Sequence, residues 1–470
     1  MKQRWHEMVY VLFVLAGAAV VLLRPFSPAL DSLGHYALAG MILTTGLWVL
    51  EPFHISVGVG SCLLFASMLA VGVPARVVFS GFTQSAVWTM IPALFFGYAL
   101  KKTGLGKRIA FRLLRCLPKV TYLSLIVAWV LIGIILSILT PSITVRIVIA
   151  MPLAKNCVDL CGFEKDSKER SFLLLTAWAM MVIPGIGWST GSLLGPVLTG
   201  IFGSVEGIPE VSFTDWFRSA FLPTCIVTVL ILVLSRALLK PSGKIMIKKE
   251  VFTEAYRSLQ PMQKEEKLTL WILLICFAFL ATGMLHGIPD AALCLFALLL
   301  LFALGVLDRQ DIGKGISWDI VLFVGASMSI GEIFSYTGVS GWLSGWFQTI
   351  FALIPSAELL LLLLLVFLFA FRFVDVALLT PTIVILAPSI PALWQTHGIH
   401  PYVWIPVFSF AICAFFARYQ NMFLLIGETT LGKEGWTVQY RIRYALIYFA
   451  ACVIAVAVSI PYWRAIGWIA

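Results

Sequence analysis

The sequence predicts an all-α polytopic membrane protein, and three observations carry that reading. Of its 470 residues, 60% are hydrophobic and only 12% are charged, against about 45–50% and about 25% in soluble domains. Apolar runs of spanning length recur from end to end, and no soluble domain fits between them. Two of the runs are broken near their middles, one in each half of the chain. Leu139-Thr140-Pro141-Ser142-Ile143-Thr144-Val145-Arg146 breaks the first, and Leu379-Thr380-Pro381-Thr382 breaks the second. In hydrocarbon a broken helix leaves backbone groups unpaired, so it is tolerated only where protein or a water-filled cavity surrounds it. One break per half is the sequence pattern of a transporter's binding site. The expected architecture is about eleven transmembrane helices plus two re-entrant hairpins, arranged as an inverted repeat with broken helices at the midplane.

The elements follow in order. Residues 1–34 hold an N-terminal helix, Met8–Leu23, behind Lys2 and Arg4. No convincing small-residue cleavage site follows it, so it reads as a retained helix rather than a signal peptide. The first repeat, 35–240, opens with Tyr36–Leu50, Ser56–Val73 and Val87–Leu100. Lys101–Lys119 then carries seven lysines and arginines and no acid, which reads as an amphipathic helix on the cytoplasmic face. The first hairpin spans 121–155. Its arm after Pro141 reaches about 21 Å, short of a hydrocarbon core about 30 Å thick. Positive charge flanks both ends, at Lys119 and at Lys155, which favours a re-entrant hairpin over two spanning helices. Residues 171–202 are too long for one span and break at Pro184-Gly185-Ile186-Gly187-Trp188-Ser189-Thr190-Gly191-Ser192. Glycine and proline there permit an unwound middle whose carbonyls and hydroxyls can bind.

Residues 241–267 form a polar cytoplasmic linker with six basic and four acidic residues. The second repeat, 268–470, follows the same plan. Leu268–Met284, Ala291–Val306 and Ile320–Phe334 lead to a surface segment, Tyr336–Pro355, that has no charged residue at all. That segment corresponds in order to the seven-charge segment 101–119. Opposite charge loading is what an inverted repeat gives, because one copy faces the cytoplasm and the other faces outside. The second hairpin is 357–394 and the second broken helix is 403–431, interrupted near Arg418-Tyr419-Gln420-Asn421. Tyr444–Trp463 ends the chain. The expected setting is a plasma (bacterial inner) membrane, with the N-terminus cytoplasmic and the C-terminus outside.

The net charge of +10 raises nucleic acid as a partner. The basic residues, however, sit in short loops beside membrane segments, and the positive-inside rule accounts for them. The expected partners are therefore the bilayer and a small anionic substrate, with no nucleic acid. An enzyme finds little support. Gly187-Trp188-Ser189-Thr190-Gly191 fits a nucleophile elbow, but that motif needs a strand–turn–helix and a histidine base. The six histidines lie near the ends of segments. No Walker A or His-Glu-x-x-His sequence is present, so ATP-driven transport and zinc proteolysis lack their motifs. An anion channel is the remaining rival.

An anion in a dry site needs hydrogen-bond donors and positive potential. Hairpin tips supply free N–H groups and the positive ends of half-helices. Ser142, Thr144 and Thr382 add hydroxyls there, which either bind substrate or cap the helix ends. Thr190 and Ser192 in the first unwound stretch, and Thr380 and Pro381 at the second break, complete the substrate-site candidates with Ile143. Arg146 lies two residues past the first tip. Its fork suits a carboxylate, and the rival reading is a salt bridge to Asp375 or Glu428. Arg372 and Asp375 lie three apart and pair along one helix face, or else Asp375 couples protons. Arg418 and Glu428 flank the second break, where they bind ligand or lock the scaffold. A sodium ion would take oxygens from Ser142, Thr144, Gly187 and Gly191. A fixed cation at Arg146 would instead replace the coupling ion and favour exchange. No other cofactor is indicated.

The order of motifs resembles the divalent anion/sodium symporter family of dicarboxylate, tricarboxylate and sulfate carriers. Trp48-Val49-Leu50-Glu51 is similar to the family's early Trp-x-x-Glu element. Phe79-Ser80-Gly81-Phe82 and Lys102-Thr103-Gly104-Leu105-Gly106 with Arg108 resemble its third and fourth segments. Ser142-Ile143-Thr144, followed by Pro152, stands where the family has Ser-Asn-Thr and a downstream proline. Trp318 through Thr337-Gly338 and Tyr419-Gln420 also match. The resemblance covers most of residues 35–463. It implies an elevator-type secondary transporter of small divalent anions, C4-dicarboxylates foremost, working as a homodimer. The family builds sodium and substrate sites with the motif asparagines, but here the first asparagine is replaced by Ile143. The second motif is best placed at Thr380-Pro381-Thr382, with Phe373–Ala377 as the alternative. Arg146 resembles the arginine after Ser-Asn-Thr in the plastid 2-oxoglutarate/malate branch.

Overall fold

The computed structural model describes residues 2–470 except 242–244, 246–248, 352, 355, 374, 376–378 and 433–434. All regular structure among the described residues is helical. Seven stretches are long and apolar enough to cross a membrane: His6–Leu23, Ser32–Leu50, Tyr122–Leu139, Lys168–Gly187, Phe213–Leu239, Trp318–Tyr336 and Val438–Ala465. Shorter apolar helices accompany them. Several of these shorter helices are halves of runs that the breaks divide.

In the first half α1 (Lys2–Leu23), α2 (Ser32–Leu50) and α3 (Val57–Ala70) pack in sequence. Asp31 starts α2 by accepting the Gly34 N–H at 2.7 Å. Next come α4 (Ser85–Thr103) and the amphipathic α5 (Leu105–Arg115). Gly104, at φ 77°, turns the chain between them, a conformation that costs glycine little. A capping box of Thr121 and Ser124 starts α6 (Tyr122–Leu139). Pro141 lacks an N–H and the Ser142 hydroxyl caps α7 (Ile143–Leu160), so the break is confined to Thr140–Ser142. The α7 arm is 18 residues long, about 27 Å, longer than the arm ending at Lys155 that charge alone predicts. The extra turn carries Asp159, which holds Arg170 Nη1 at 2.7 Å.

Helix α8 (Lys168–Val182) is buried from Glu169 to Val182 and forms the axis of the second helix group. Pro184 ends it. Two 3₁₀ turns, Pro184–Gly187 and Ser189–Gly191, follow, with Trp188 and Ser192 extended. Regular helix resumes as α9 (Leu194–Gly203) and α10 (Phe213–Leu239). The polar linker is not structureless: it contains an amphipathic helix, α11 (Lys249–Arg257), that packs on α5. Residues 242–244 and 246–248 of the linker lie outside the described residues.

The second half runs through α12 (Lys264–Ala281), α13 (Asp290–Ala303), α14 (Trp318–Tyr336) and the uncharged α15 (Val339–Phe351). Its hairpin is α16 (Ala357–Phe371) and α17 (Thr380–Leu386), continued by α18 (Ile390–His397). The second break therefore begins at Arg372, earlier than Leu379. Thr380-Pro381-Thr382 forms the first turn of the second arm rather than the tip, because Pro381 is accommodated in a helix's first turn. Of the alternative motif Phe373–Ala377, residues 374, 376 and 377 lie outside the described residues. The second broken helix is α19 (Trp404–Ile412) and α20 (Met422–Leu431), and α21 (Val438–Ala465) closes the chain. Its break is wider than Arg418–Asn421, since α19 already ends before Cys413.

Two helix groups result. One joins α2–α5 to α12–α15. In it Asp319 accepts from the Ser56 hydroxyl and, at 3.0 Å, from the Gly58 N–H, while Lys102 meets Asp311 at 2.6 Å. The other joins α6–α10 to α16–α21 and is stitched by buried donors. Trp178 Nε1 gives a hydrogen bond to the Phe423 carbonyl at 3.0 Å, and the Tyr448 hydroxyl gives one to Phe410 at 2.9 Å. The groups meet where α4 passes the first hairpin tip, where α9 packs on α4 and α14, and where α17 packs on α14 and α15. A Cβ on Gly97 would lie 2.6 Å from Thr140 Oγ1 and 2.8 Å from Ser142 Cβ.

Candidate functional site

Arg146 projects from the first turn of α7 and is fully buried. None of its three guanidinium nitrogens has a hydrogen-bond partner among the described residues. The helix offers it nothing, for no acidic residue stands in the first turn. A helix N-terminus carries positive partial charge, so this cation sits where it is least welcome. An arginine at mid-membrane also costs at least about 2.5–3.5 kcal/mol on insertion scales. Natural sequences keep such violations of local rules at functional sites.

The surroundings of Arg146 are the first unwound stretch. A Cβ on Gly185 would lie 2.6 Å from Arg146 Nη1, 3.1 Å from Nη2 and 2.3 Å from the Gly191 carbonyl oxygen. Only a glycine lets the guanidinium lie against this turn. Gly191 is flanked by Thr190 and Ser192, whose hydroxyls are buried and unpartnered among the described residues. The stretch is held from both sides. Trp188 Nε1 donates to the Ser137 carbonyl on α6 at 3.2 Å, and Trp216 Nε1 on α10 donates to Ile186 at 2.8 Å. A cavity of about 20 Å³ lies beside it, lined in part by Pro141, Thr190, Cys276 and Cys294, between the tip and α12–α13.

The tip hydroxyls are engaged locally. Ser142 Oγ accepts the Val145 N–H at 3.3 Å, and Thr140 Oγ1 accepts the Ser142 N–H at 3.0 Å. Ser142 thus acts as a helix cap, while Ile143 is buried and Thr144 is half-buried beside it. Gly187 lies apart from the guanidinium, with Phe221 and Thr224 around it.

In the second half Arg372 is also fully buried. It donates to the carbonyls of Asp375 and Gln420. Because α16 ends at Phe371, Arg372 and Asp375 lie in the loop between the arms and not on one helix face. The Asp375 carboxylate accepts from the Thr382 N–H at 3.2 Å and from the Thr382 hydroxyl, which ties the loop to the second arm. The Thr380 hydroxyl is buried and unpartnered among the described residues, beside Pro381 in the same turn. The Cys413 thiol lies within electrostatic reach of both Arg146 and Arg372. Helix α20 packs along α7, so the two hairpins and both broken helices converge.

Arg418 and Glu428 are drawn into an ion-pair cluster. Glu428 holds Arg418, Arg441 Nη1 at 3.0 Å and Trp436 Nε1 at 3.1 Å. Since Asp375 holds Thr382 and Glu428 holds Arg418, neither acid serves as the counter-ion of Arg146. Three contributors were not singled out from sequence. Gly185 makes room for the guanidinium. Gln420 receives Arg372 and has an unpartnered buried Nε2 among the described residues. Asn421 caps α20 by accepting from Phe423 and Leu424 at 2.9 and 3.1 Å. Asparagine's preference for cap positions is the signal that would have marked Asn421 as the start of α20.

A family model described as the sodium:sulfate symporter transmembrane region matches residues 2–469. The citrate/succinate antiporter of Escherichia coli strain K12 is 28% identical over 280 residues, covering 57% of this chain and 56% of the antiporter. Chloroplastic dicarboxylate transporter 1 of Spinacia oleracea is 24% identical over 288 residues, covering 60% of this chain and 50% of the transporter. The chain thus matches about half the length of these curated relatives. The crystal structure of the YdaH transporter of Alcanivorax borkumensis superposes with a TM-score of 0.59 at 17% identity, covering 86% of this chain and 90% of that one. The folds are therefore alike. With the family model matched almost from end to end, the chain belongs to the sodium:sulfate symporter transmembrane-region family, the same divalent anion/sodium symporters that its motif order resembles.

Proposed function

We propose that the protein is a secondary transporter of small divalent organic anions, C4-dicarboxylates such as succinate and malate or 2-oxoglutarate, and that it works by exchange. The observation that carries this reading is the buried Arg146 guanidinium, unpartnered among the described residues, against Gly185 and beside the unpartnered Thr190 and Ser192 hydroxyls. A carboxylate would accept the guanidinium fork in two parallel bonds. The hydroxyls and the N–H groups at the start of α7 would complete its shell. The names of the spinach dicarboxylate transporter and the bacterial citrate/succinate antiporter support the substrate class and the exchange reading. Sulfate or a tricarboxylate in the same pocket is the alternative.

Sodium symport is the second reading, drawn from the family model's description. A sodium ion would take oxygens from Ser142, Thr144, Gly187 and Gly191. The Arg146 guanidinium lies against Gly185, which abuts Gly191, and its charge would repel sodium there. In our reading that fixed charge stands in for the coupling cation. The empty carrier then keeps an uncompensated buried cation, which opposes its return and enforces one-for-one exchange. We further propose that the group α6–α10 with α16–α21 moves as an elevator against a scaffold of α2–α5 with α12–α15. In this reading the protein is a homodimer of the bacterial inner membrane, with its N-terminus cytoplasmic.

Labelled succinate uptake into proteoliposomes tests the proposal in four conditions: with and without an inward sodium gradient, and with and without internal unlabelled succinate. Uptake that requires internal succinate and ignores sodium is expected. Uptake that requires the gradient and ignores internal succinate would replace exchange with symport. Absence of uptake in all four, with transport of sulfate or citrate instead, would overturn the substrate class.

A further inference from the structure

Helices α6 and α10 are each fastened to the unwound stretch Pro184–Ser192, and they leave a groove of about 700 Å³ between them. That size falls within the range of about 300–1,000 Å³ typical of ligand sites. Its walls are almost wholly apolar: Leu123, Val127 and Leu131 from α6 face Val229 and Val233 from α10, and all five are exposed. Its charge is confined to one end, where Arg236 and Lys240 line the mouth. Arg236 lies 5.4 Å from the centre of the Tyr122 ring, and the Tyr122 hydroxyl has no partner among the described residues. The acid beside Tyr122 is Glu169, which meets Lys168 at 3.9 Å.

The dimensions name the occupant. From Lys240 back to Val229 the α10 wall is about 16 Å long. The hydrocarbon of one leaflet is about 15 Å, half of a core about 30 Å thick. A groove of that length with a pair of cations at one end matches one lipid of one leaflet. We infer that this groove is a site for an anionic phospholipid, its acyl chain between α6 and α10 and its phosphate on Arg236 and Lys240. Bulk zwitterionic lipid supplies the chain but not the net charge that the two cations complement. The inference is independent of the transported substrate. The site grips the two helices that hold the substrate-facing turn, so occupancy stiffens that turn.

The test uses the full chain in nanodiscs of equal phosphatidylglycerol and phosphatidylethanolamine, read by native mass spectrometry. The wild type is expected to retain phosphatidylglycerol over phosphatidylethanolamine by about 30-fold, as two interfacial cations at ~1 kcal/mol each would give. Arg236→Ala with Lys240→Ala is expected to bring the ratio near one. Val233→Trp, which fills the groove and leaves both cations, is expected to lose both lipids. Phosphatidylglycerol retained equally by the wild type and the folded double variant would overturn the site. So would a wild-type ratio near one. A Val233→Cys variant that cross-links between copies in membranes would assign the groove to a second copy of this chain and overturn the lipid.

Discussion

In the proposed reading substrate recognition turns on Arg146, and the isolation of its guanidinium among the described residues makes opposite demands on activity and stability. Arg146→Ala removes the fork that would hold a carboxylate. Charge-assisted hydrogen bonds contribute about 1.5–3 kcal/mol, so apparent succinate affinity in proteoliposomes is expected to fall by about 10- to 150-fold. The same change removes a buried cation from the positive end of α7. The melting temperature in detergent is therefore expected to hold or rise, as happens where a site is kept at the expense of stability. Arg146→Lys keeps the charge but loses the planar fork and should fall between the two. Undiminished uptake by Arg146→Ala would make the arginine structural. Much of this was legible in the sequence, because an arginine five residues past the proline of a break in an apolar run is conspicuous. Whether it found a partner was not legible. Asp375 and Glu428 were equally available on paper, and only the folded chain commits them to Thr382 and Arg418.

At the scale of elements, the unwound stretch Pro184–Ser192 is fixed by how closely its glycines approach their neighbours. Gly185→Ala would drive a methyl to 2.3 Å from the Gly191 carbonyl and 2.6 Å from Arg146 Nη1. Overpacking of that kind costs about 1–3 kcal/mol. A lower melting temperature and uptake below about one tenth of wild type are expected. Gly187→Ala is the internal control, since its Cβ would meet nothing closer than 3.5 Å. Equal loss from both changes would show that backbone freedom, not the guanidinium cradle, is what matters. Sequence reading found this break from its Pro-Gly composition. Its preferred placement of the second break fell one turn late, because Thr380-Pro381-Thr382 looks like the first tip while serving as a helix start, and the alternative Phe373–Ala377 falls between the two arms. The linker helix α11 was masked by its charge, although its apolar face is buried on α5. The loop before α14 makes a pH prediction. Burial raises Asp311, but its hydrogen bonds from Lys102, the Asp308 N–H and Tyr98 win and hold it below 3.8. Asp308 is lowered as well, first by Lys102 and then by the Gln310 N–H. Groups depressed in the folded state add stability above their unfolded value, and that stability is lost as pH falls through the folded value. Detergent-solubilised protein should therefore lose stability below about pH 4, and Asp311→Asn should flatten that slope. A slope unchanged by Asp311→Asn would move the effect elsewhere.

For the whole molecule, the charge loading of α5 and α15 makes a prediction about topology. Both α5 and α15 follow a Thr-Gly or abut it, in the first and second halves respectively. The segment around α5 carries seven basic residues and the segment around α15 carries none. If the halves are inverted copies, the two helices lie on opposite faces, and the positive-inside rule puts α5 in the cytoplasm. The chain supplies its own reporter, because Cys116 is exposed at the end of α5. Gly345 on α15 is exposed with open space around its Cα, so Gly345→Cys adds a second reporter without a clash. With the other exposed cysteines, Cys62 and Cys225, replaced by alanine, an impermeant maleimide is applied to right-side-out vesicles. Gly345→Cys is expected to label at once, and Cys116 only after the vesicles are opened. Labelling of both from one side would place α5 and α15 on the same face and remove the inverted repeat. Labelling in the reverse order would keep the repeat and turn the whole protein over, so that the cation-lined mouth of the lipid groove would face the outer leaflet.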